Sequence, residues 1–211
     1  MGEQSRLILG LLALVALFAP GCSSADQLKV RDEGVLFPTL RIRHEFERKG
    51  EADAPPQGWR GALELEVTGA DDATEGKEYR YVQGQLAVRV ERAGERFDFA
   101  LLAGLGYTDV SFKNDTIDFQ STSGQLGGLL GLEGGVRLFP RARLYGRIST
   151  LLMPPFSQSD TIEAGISYRV SRAVHVLAGY RRWRYEEESI FIDADLDLRA
   201  EGLFLGLGLD F

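Results

Sequence analysis

"GLFLGLGLDF", residues 202–211, places Leu203, Leu205, Leu207, Leu209 and Phe211 on one parity and leaves Phe204 as the only large residue on the other. Side chains of an extended chain alternate between its two faces, so this period of two is a β-strand with one apolar face. The opposite face carries Gly202, Gly206, Gly208 and Asp210, too small or too polar to build a core by themselves. Which of the two faces looks outward decides the fold.

The same alternation recurs at 61–69, 79–91, 96–108, 125–138, 143–153, 161–170, 174–185 and 199–211, which predicts eight strands. Short turns at "RAGE" (92–95), "FPRAR" (139–143) and "SRA" (171–173) alternate with long polar stretches at 70–78, 113–124, 154–160 and 186–198. The pattern is an antiparallel up-and-down meander with its tight turns at one end.

Apolar parity dominates one face of every strand, as in Leu63, Leu65 and Val67 or Leu86, Val88 and Val90; Arg80, Arg92, Arg182 and Arg199, the charges on that parity, stand at strand ends. The other parity sets Glu64, Glu66, Glu91, Asp98, Glu133, Glu163 and Asp210 against Arg89, Arg96, Arg137, Arg143, Arg147, Arg169 and Arg181. A polar face in water needs no such balance of sign. Charges enclosed in a narrow bore do, and a transmembrane barrel has that inverted plan, apolar outside and polar inside. The expected fold is therefore all-β, an eight-stranded transmembrane barrel with a polar lumen.

Turn geometry assigns partners. If "RAGE" closes as a two-residue hairpin, Arg89 lies opposite Asp98 and Glu91 opposite Arg96. If "SRA" is a three-residue turn, Glu163 lies opposite Arg181 and Arg169 opposite His175. With Glu133 and Arg147, these residues form the expected lumen ion pairs. Inward glycines such as Gly127, Gly131, Gly135, Gly165 and Gly179 leave room for long arginines in a bore that side chains alone can fill. The lumen is expected to be plugged.

Residues 61–211 resemble, in architecture, the small eight-stranded outer-membrane barrels of Gram-negative bacteria, the group of the OmpA membrane domain and OmpX. In that group the last strand ends in Phe after alternating apolar residues with an inward glycine, and the barrel-assembly machinery reads it as an insertion signal. Gly206, Leu207, Leu209 and Phe211 match that pattern. The resemblance implies the cell outer membrane as location, and membrane lipids and the assembly machinery as partners.

Residues 1–21 read as a signal peptide: Arg6 precedes the apolar run "LILGLLALVALFA" (7–19), which is shorter than the roughly 20 residues of a spanning helix. "APGCSS" follows, and its Cys22, the one cysteine of the chain, resembles the lipidated residue of a bacterial lipobox; cleavage after Ala25 is the alternative. Residues 22–60 are expected to be a periplasmic tether or accessory strand. "TLRIRHEFER" (39–48) alternates as cleanly as a barrel strand, and pairing it with a second strand near "QLKVR" (27–31) would give ten strands instead of eight, keeping the count even.

Chemistry is sparse. His175, Ser167 and Glu163 could be read as a triad, but no serine adjoins His175 in sequence and Ser167 reaches it only diagonally. "DADLD" (193–197) lacks the glycine and the later glutamate of a calcium loop, although loosely held divalent ions on the acidic stretch around Glu186–Glu188 stay open. "GGLLGLEGG" (127–135) lacks the lysine and helix of a nucleotide loop. No cofactor or metal site is expected. With 31 Asp+Glu, 24 Lys+Arg and scattered basic residues, nucleic acid is excluded as a partner. The expected role is a non-enzymatic structural or surface-interaction barrel, its surface ligand unspecified, with a small pore or a lipid-modifying enzyme as alternatives.

Overall fold

The structure, a computed structural model, describes residues 27–46, 58–74, 77–114, 119–154, 157–187 and 195–211. Residues 1–21, expected to be a signal peptide, and Cys22 lie outside the described residues. Nine strands form one closed barrel: β1 (Gln27–Glu45), β2 (Gly58–Thr74), β3 (Lys77–Ala93), β4 (Phe97–Asn114), β5 (Phe119–Phe139), β6 (Ala142–Met153), β7 (Ser157–Arg169), β8 (Val174–Glu187) and β9 (Asp195–Asp210).

The eight predicted strands are all present, and a ninth joins them, which corrects both the eight-strand and the ten-strand expectations. "QLKVR" (27–31) and "TLRIRHE" (39–45) are not two strands; they are the two ends of β1. An odd meander brings its first and last strands together in the same direction, so β1 pairs with β9 in parallel, from Gln27↔Asp195 to Arg43↔Asp210, while every other neighbouring pair is antiparallel. Parallel ladders are only slightly less stable per residue, so the seam closes the wall. A bulge interrupts it between Glu33 and Val35, where Gly34 takes φ +84°, a conformation that glycine adopts without strain. Gly202 accommodates the bulge from across the seam, since a Cβ there would lie 1.9 Å from the Val35 carbonyl oxygen.

The long polar stretches are mostly not loops. Ladders continue to Thr74↔Lys77, Asn114↔Phe119 and Glu187↔Leu196, because backbone pairing does not require an apolar face. The three short turns do gather at one end.

Face assignment follows the alternation. Leu63, Leu65, Val67, Leu86, Leu105 and Leu203 are exposed on the outer wall, whereas Glu64, Glu66, Arg89, Glu133, Arg147, Glu163 and Arg181 are buried inside. A ring of exposed aromatics, Phe46, Trp59, Phe97, Phe139, Tyr168 and Phe211, marks the short-turn end. Toward the other end the two faces exchange character: in β8, Trp183 and Tyr185 turn inward while Arg182 and Arg184 turn outward. β9 does the same, with Leu198 and Ala200 inside and Glu201 outside.

Candidate functional site

The bore holds three layers. In its middle, period-two alternation on seven strands brings four carboxylates, Glu64, Glu66, Glu133 and Glu163, among four guanidiniums, Arg41, Arg89, Arg147 and Arg181, and all eight side chains are buried. Arg89 spans Glu133 bidentately at 2.9 and 3.1 Å and touches Glu64 at 3.3 Å. Arg181 holds Glu66 at 2.9 Å and also pairs with Glu163, and Arg41 joins Glu66 at 2.8 Å to Glu163 at 3.2 Å. Arg147 pairs with Glu64 and, at 3.1 Å, with Glu66. Tyr145 donates its hydroxyl to Glu163 at 2.6 Å. Burying a charge is costly unless it is paired and hydrogen-bonded, and every member of this set has more than one partner.

Above that layer is an apolar plug. Tyr81 stacks on Trp183 with ring centroids 4.1 Å apart, Tyr185 continues the stack at 6.1 Å, and Phe37 meets Tyr81 edge-on at 6.4 Å. The Trp183 indole N–H donates to Ser159 Oγ at 2.8 Å, so its one polar atom is satisfied. Leu129, Leu151 and Met153 fill the remaining space. Phe204, the exception in the opening stretch, is not beside Trp183 but on the short-turn side of the Glu163↔Arg181 pair, over Gly165 and Gly179, where a Cβ would come within 2.7 Å of its ring. Those two glycines make room for a phenyl ring rather than for the arginines expected there. Gly135 does admit an arginine: a Cβ there would lie 2.4 Å from Arg143 Nε.

Below the network, at the short-turn end, is a cavity of about 600 Å³. Its walls include Arg43, Asp98, Arg143, Ser167, His175 and Asp210. Asp210 accepts from Arg43 at 3.1 Å and lies 2.6 Å from His175 Nε2; Ser167 Oγ is 3.5 Å from His175 Nδ1. The diagonal approach of Ser167 to His175 is thus present, but the acid beside the imidazole is Asp210 from β9. Glu163 is held by Arg41, Arg181 and Tyr145 instead.

Two of the expected oppositions occur as read: Glu163↔Arg181 and Arg169↔His175. Glu133 and Arg147 are also directly opposite, although at 3.9 Å their contact is looser than Arg147 makes with Glu66. The β3–β4 pairing is corrected. "RAGE" closes through Gly94 N–H to the Phe97 carbonyl, and the ladder begins at Ala93↔Asp98, which sets Arg89 opposite Leu102 and Glu91 opposite Ala100. Glu95 and Arg96 thereby stay exposed in the turn, outside the lumen. Asp98 pairs with Arg143, and Glu91 with Arg89 at 3.0 Å and Arg43 at 3.3 Å. Arg41 and Arg43 were visible as the polar parity of 39–48, and treating that stretch as accessory kept them out of the expected network.

On the outer wall beyond the apolar surface, Asp197 is clamped by Arg184 at 3.2 Å and Arg199 at 2.8 Å. Burial works against its charge, but hydrogen bonds from Arg199 and Arg184 outweigh it and hold the carboxyl below its ordinary range. Among the described residues no group of His, Cys, Asp and Glu is arranged to hold a metal ion, and no helix is long and apolar enough to cross a membrane. In comparisons with protein-family models, curated proteins and solved structures, nothing matches this chain.

Proposed function

We propose that this chain is an outer-membrane β-barrel of a Gram-negative bacterium, lipid-anchored through Cys22, with a sealed bore and a non-enzymatic structural or surface-interaction role. The observation that carries the reading is the inversion of the wall: leucines and valines exposed outside, four glutamates and four arginines buried inside. The outward apolar stretches Trp59–Val67, Phe97–Tyr107 and Leu203–Phe211 run about nine to eleven residues, the length that a tilted transmembrane strand needs. An exposed apolar surface of this extent on a protein in water would need a cover. The aromatic ring at the short-turn end fits an interfacial girdle, and the charged outer surface beyond the other end fits hairpins standing clear of the bilayer. Gly206, Leu207, Leu209 and Phe211 serve as the assembly signal in this reading, and the projecting hairpins are the surface that meets any ligand.

Membrane fractionation and unboiled-gel migration of the chain with and without Phe211 test it. Expected are a heat-modifiable species in the outer membrane and a loss of assembled barrel, at unchanged synthesis, when Phe211 is deleted. A water-soluble chain, or full assembly of the truncated one, would overturn the reading. Mass spectrometry of the mature amino terminus tests the lipid at Cys22, and a free terminus at Asp26 would refute it.

One observation favours an enzymatic alternative, the Ser167–His175–Asp210 succession at 3.5 and 2.6 Å inside an open cavity. Labelling of Ser167, and of no other serine, by a fluorophosphonate would support hydrolysis over the scaffold role.

A further inference from the structure

We infer that the cavity at the short-turn end is a binding site for a compact polyvalent oxyanion, a small molecule carrying two or more phosphoryl or carboxylate groups. The inference rests on how charge is distributed around the cavity, and it holds whether the barrel is in a membrane or in water.

Nine arginines and six carboxylates line the cavity. All six carboxylates are engaged: Glu45 with Arg43 and Arg60, Glu64 and Glu133 with Arg89, Glu91 with Arg43, Asp98 with Arg143, and Asp210 with Arg43. Arg137, Arg141, Arg169 and Arg172 have no acidic partner among the described residues. They are concentrated on one side of the mouth, at the β5–β6 and β7–β8 turns.

All four are exposed, but two of them continue the lining of the bore. Arg137 and Arg169 occupy the inward parity, two strand positions beyond Gly135 and Ser167. Arg137 lies directly opposite Arg143, and Arg169 directly opposite His175. Like charges facing each other across a ladder, as Arg137 and Arg143 do, are destabilising, and Arg143 is already committed to Asp98 and Glu133. An anion seated between the two turns relieves that opposition. The cavity of about 600 Å³ lies within the ordinary range of small-ligand sites, roughly 300–1,000 Å³. Guanidinium forks match phosphate and carboxylate oxygens bidentately, and four of them on two turns suit a ligand with several oxyanion groups better than one monovalent ion.

The test is calorimetric titration of the purified full chain, in detergent micelles at low salt, with pyrophosphate and with citrate. Saturable binding of at least one is expected, and which binds more tightly separates phosphoryl from carboxylate recognition. Arg137→Ala combined with Arg169→Ala weakens it by about tenfold or more, since one charge-assisted hydrogen bond is worth about that much. Arg182→Ala, on the outer wall, leaves it unchanged. As a measurement that needs no variant, phenylglyoxal modification of the wild type is expected to be suppressed by the bound anion at Arg137, Arg141, Arg169 and Arg172. No binding of either anion, equal binding by the Arg137/Arg169 variant, or no protection at these arginines would overturn the inference.

Discussion

Arg89 on β3 donates two hydrogen bonds, 2.9 and 3.1 Å long, to the carboxylate of Glu133 on β5, passing over the intervening β4. The charge pairing in this bore is therefore not only a matter of neighbouring strands. It ties together wall segments that share no ladder. Removing one partner leaves the other charged, buried and with fewer contacts, which typically costs about 3–5 kcal/mol. Glu133→Ala and Arg89→Ala are each expected to destabilise the barrel by that order in denaturant unfolding, with the double variant well short of their sum. Strict additivity would show that the pair is not coupled.

The corrected β3–β4 register makes a separate prediction. Asp98 contacts Arg143, and Arg89 is opposite Leu102. Double-mutant cycles are then expected to show coupling of about 0.5–3 kcal/mol between Asp98→Asn and Arg143→Ala. The Asp98→Asn and Arg89→Ala cycle is expected to show a smaller coupling, because Arg143, through Glu133, stands between the two. A stronger Asp98–Arg89 coupling would restore the two-residue "RAGE" hairpin.

What could be read from sequence, and what could not, follows from where alternation is informative. From β2 to β9 the halves of the strands nearer the short turns are apolar on one parity and polar on the other, and their faces were legible. β1 hid itself: Asp32, Glu33 and Gly34 break its period at the bulge, and Pro38 breaks it again, so its two ends looked like separate short strands. Where the faces exchange, as at Arg182 beside Trp183, a single-parity reading runs on to the strand end and assigns the charge to a terminus. That exchange concealed the aromatic plug, although the reversal itself is written in the chain. The glycines signalled space without saying what fills it: Phe204 at Gly165 and Gly179, Arg143 at Gly135. A turn's length, and with it the register, depends on one backbone contact at Gly94, which composition does not specify.

The parallel seam can be trapped covalently. Leu40 on β1 and Leu207 on β9 are direct register partners on the outer wall. With Cys22→Ser as background, Leu40→Cys and Leu207→Cys are expected to cross-link on oxidation or with a short bis-thiol reagent. Leu65→Cys with Leu207→Cys is expected not to, since β1 intervenes and puts the two strands about 9–10 Å apart. Efficient cross-linking of the second pair and none of the first would place β2 directly against β9 and return the barrel to eight strands.

The two tryptophans report on opposite sides of the wall. Trp59 is 56 % exposed on the outer face of β2 at the short-turn end, while Trp183 is fully buried in the plug between Tyr81 and Tyr185. If the outer wall is covered by lipid, brominated lipids in reconstituted vesicles quench Trp59, and aqueous iodide reaches it poorly. Trp183 is shielded from both by the wall and by its own stack. Single-tryptophan variants separate the signals: Trp59→Phe leaves a blue-shifted emission resistant to both quenchers, and Trp183→Phe leaves one sensitive to bromolipid. Trp59→Phe is expected to cost little stability, whereas Trp183→Ala opens a void in the plug and costs about 3–5 kcal/mol. Iodide quenching of Trp59 without any bromolipid effect would mean that the outer leucines are covered by something other than a bilayer. Ready iodide access to Trp183 would mean that the bore is open from above, and with it the sealed-scaffold reading would fail.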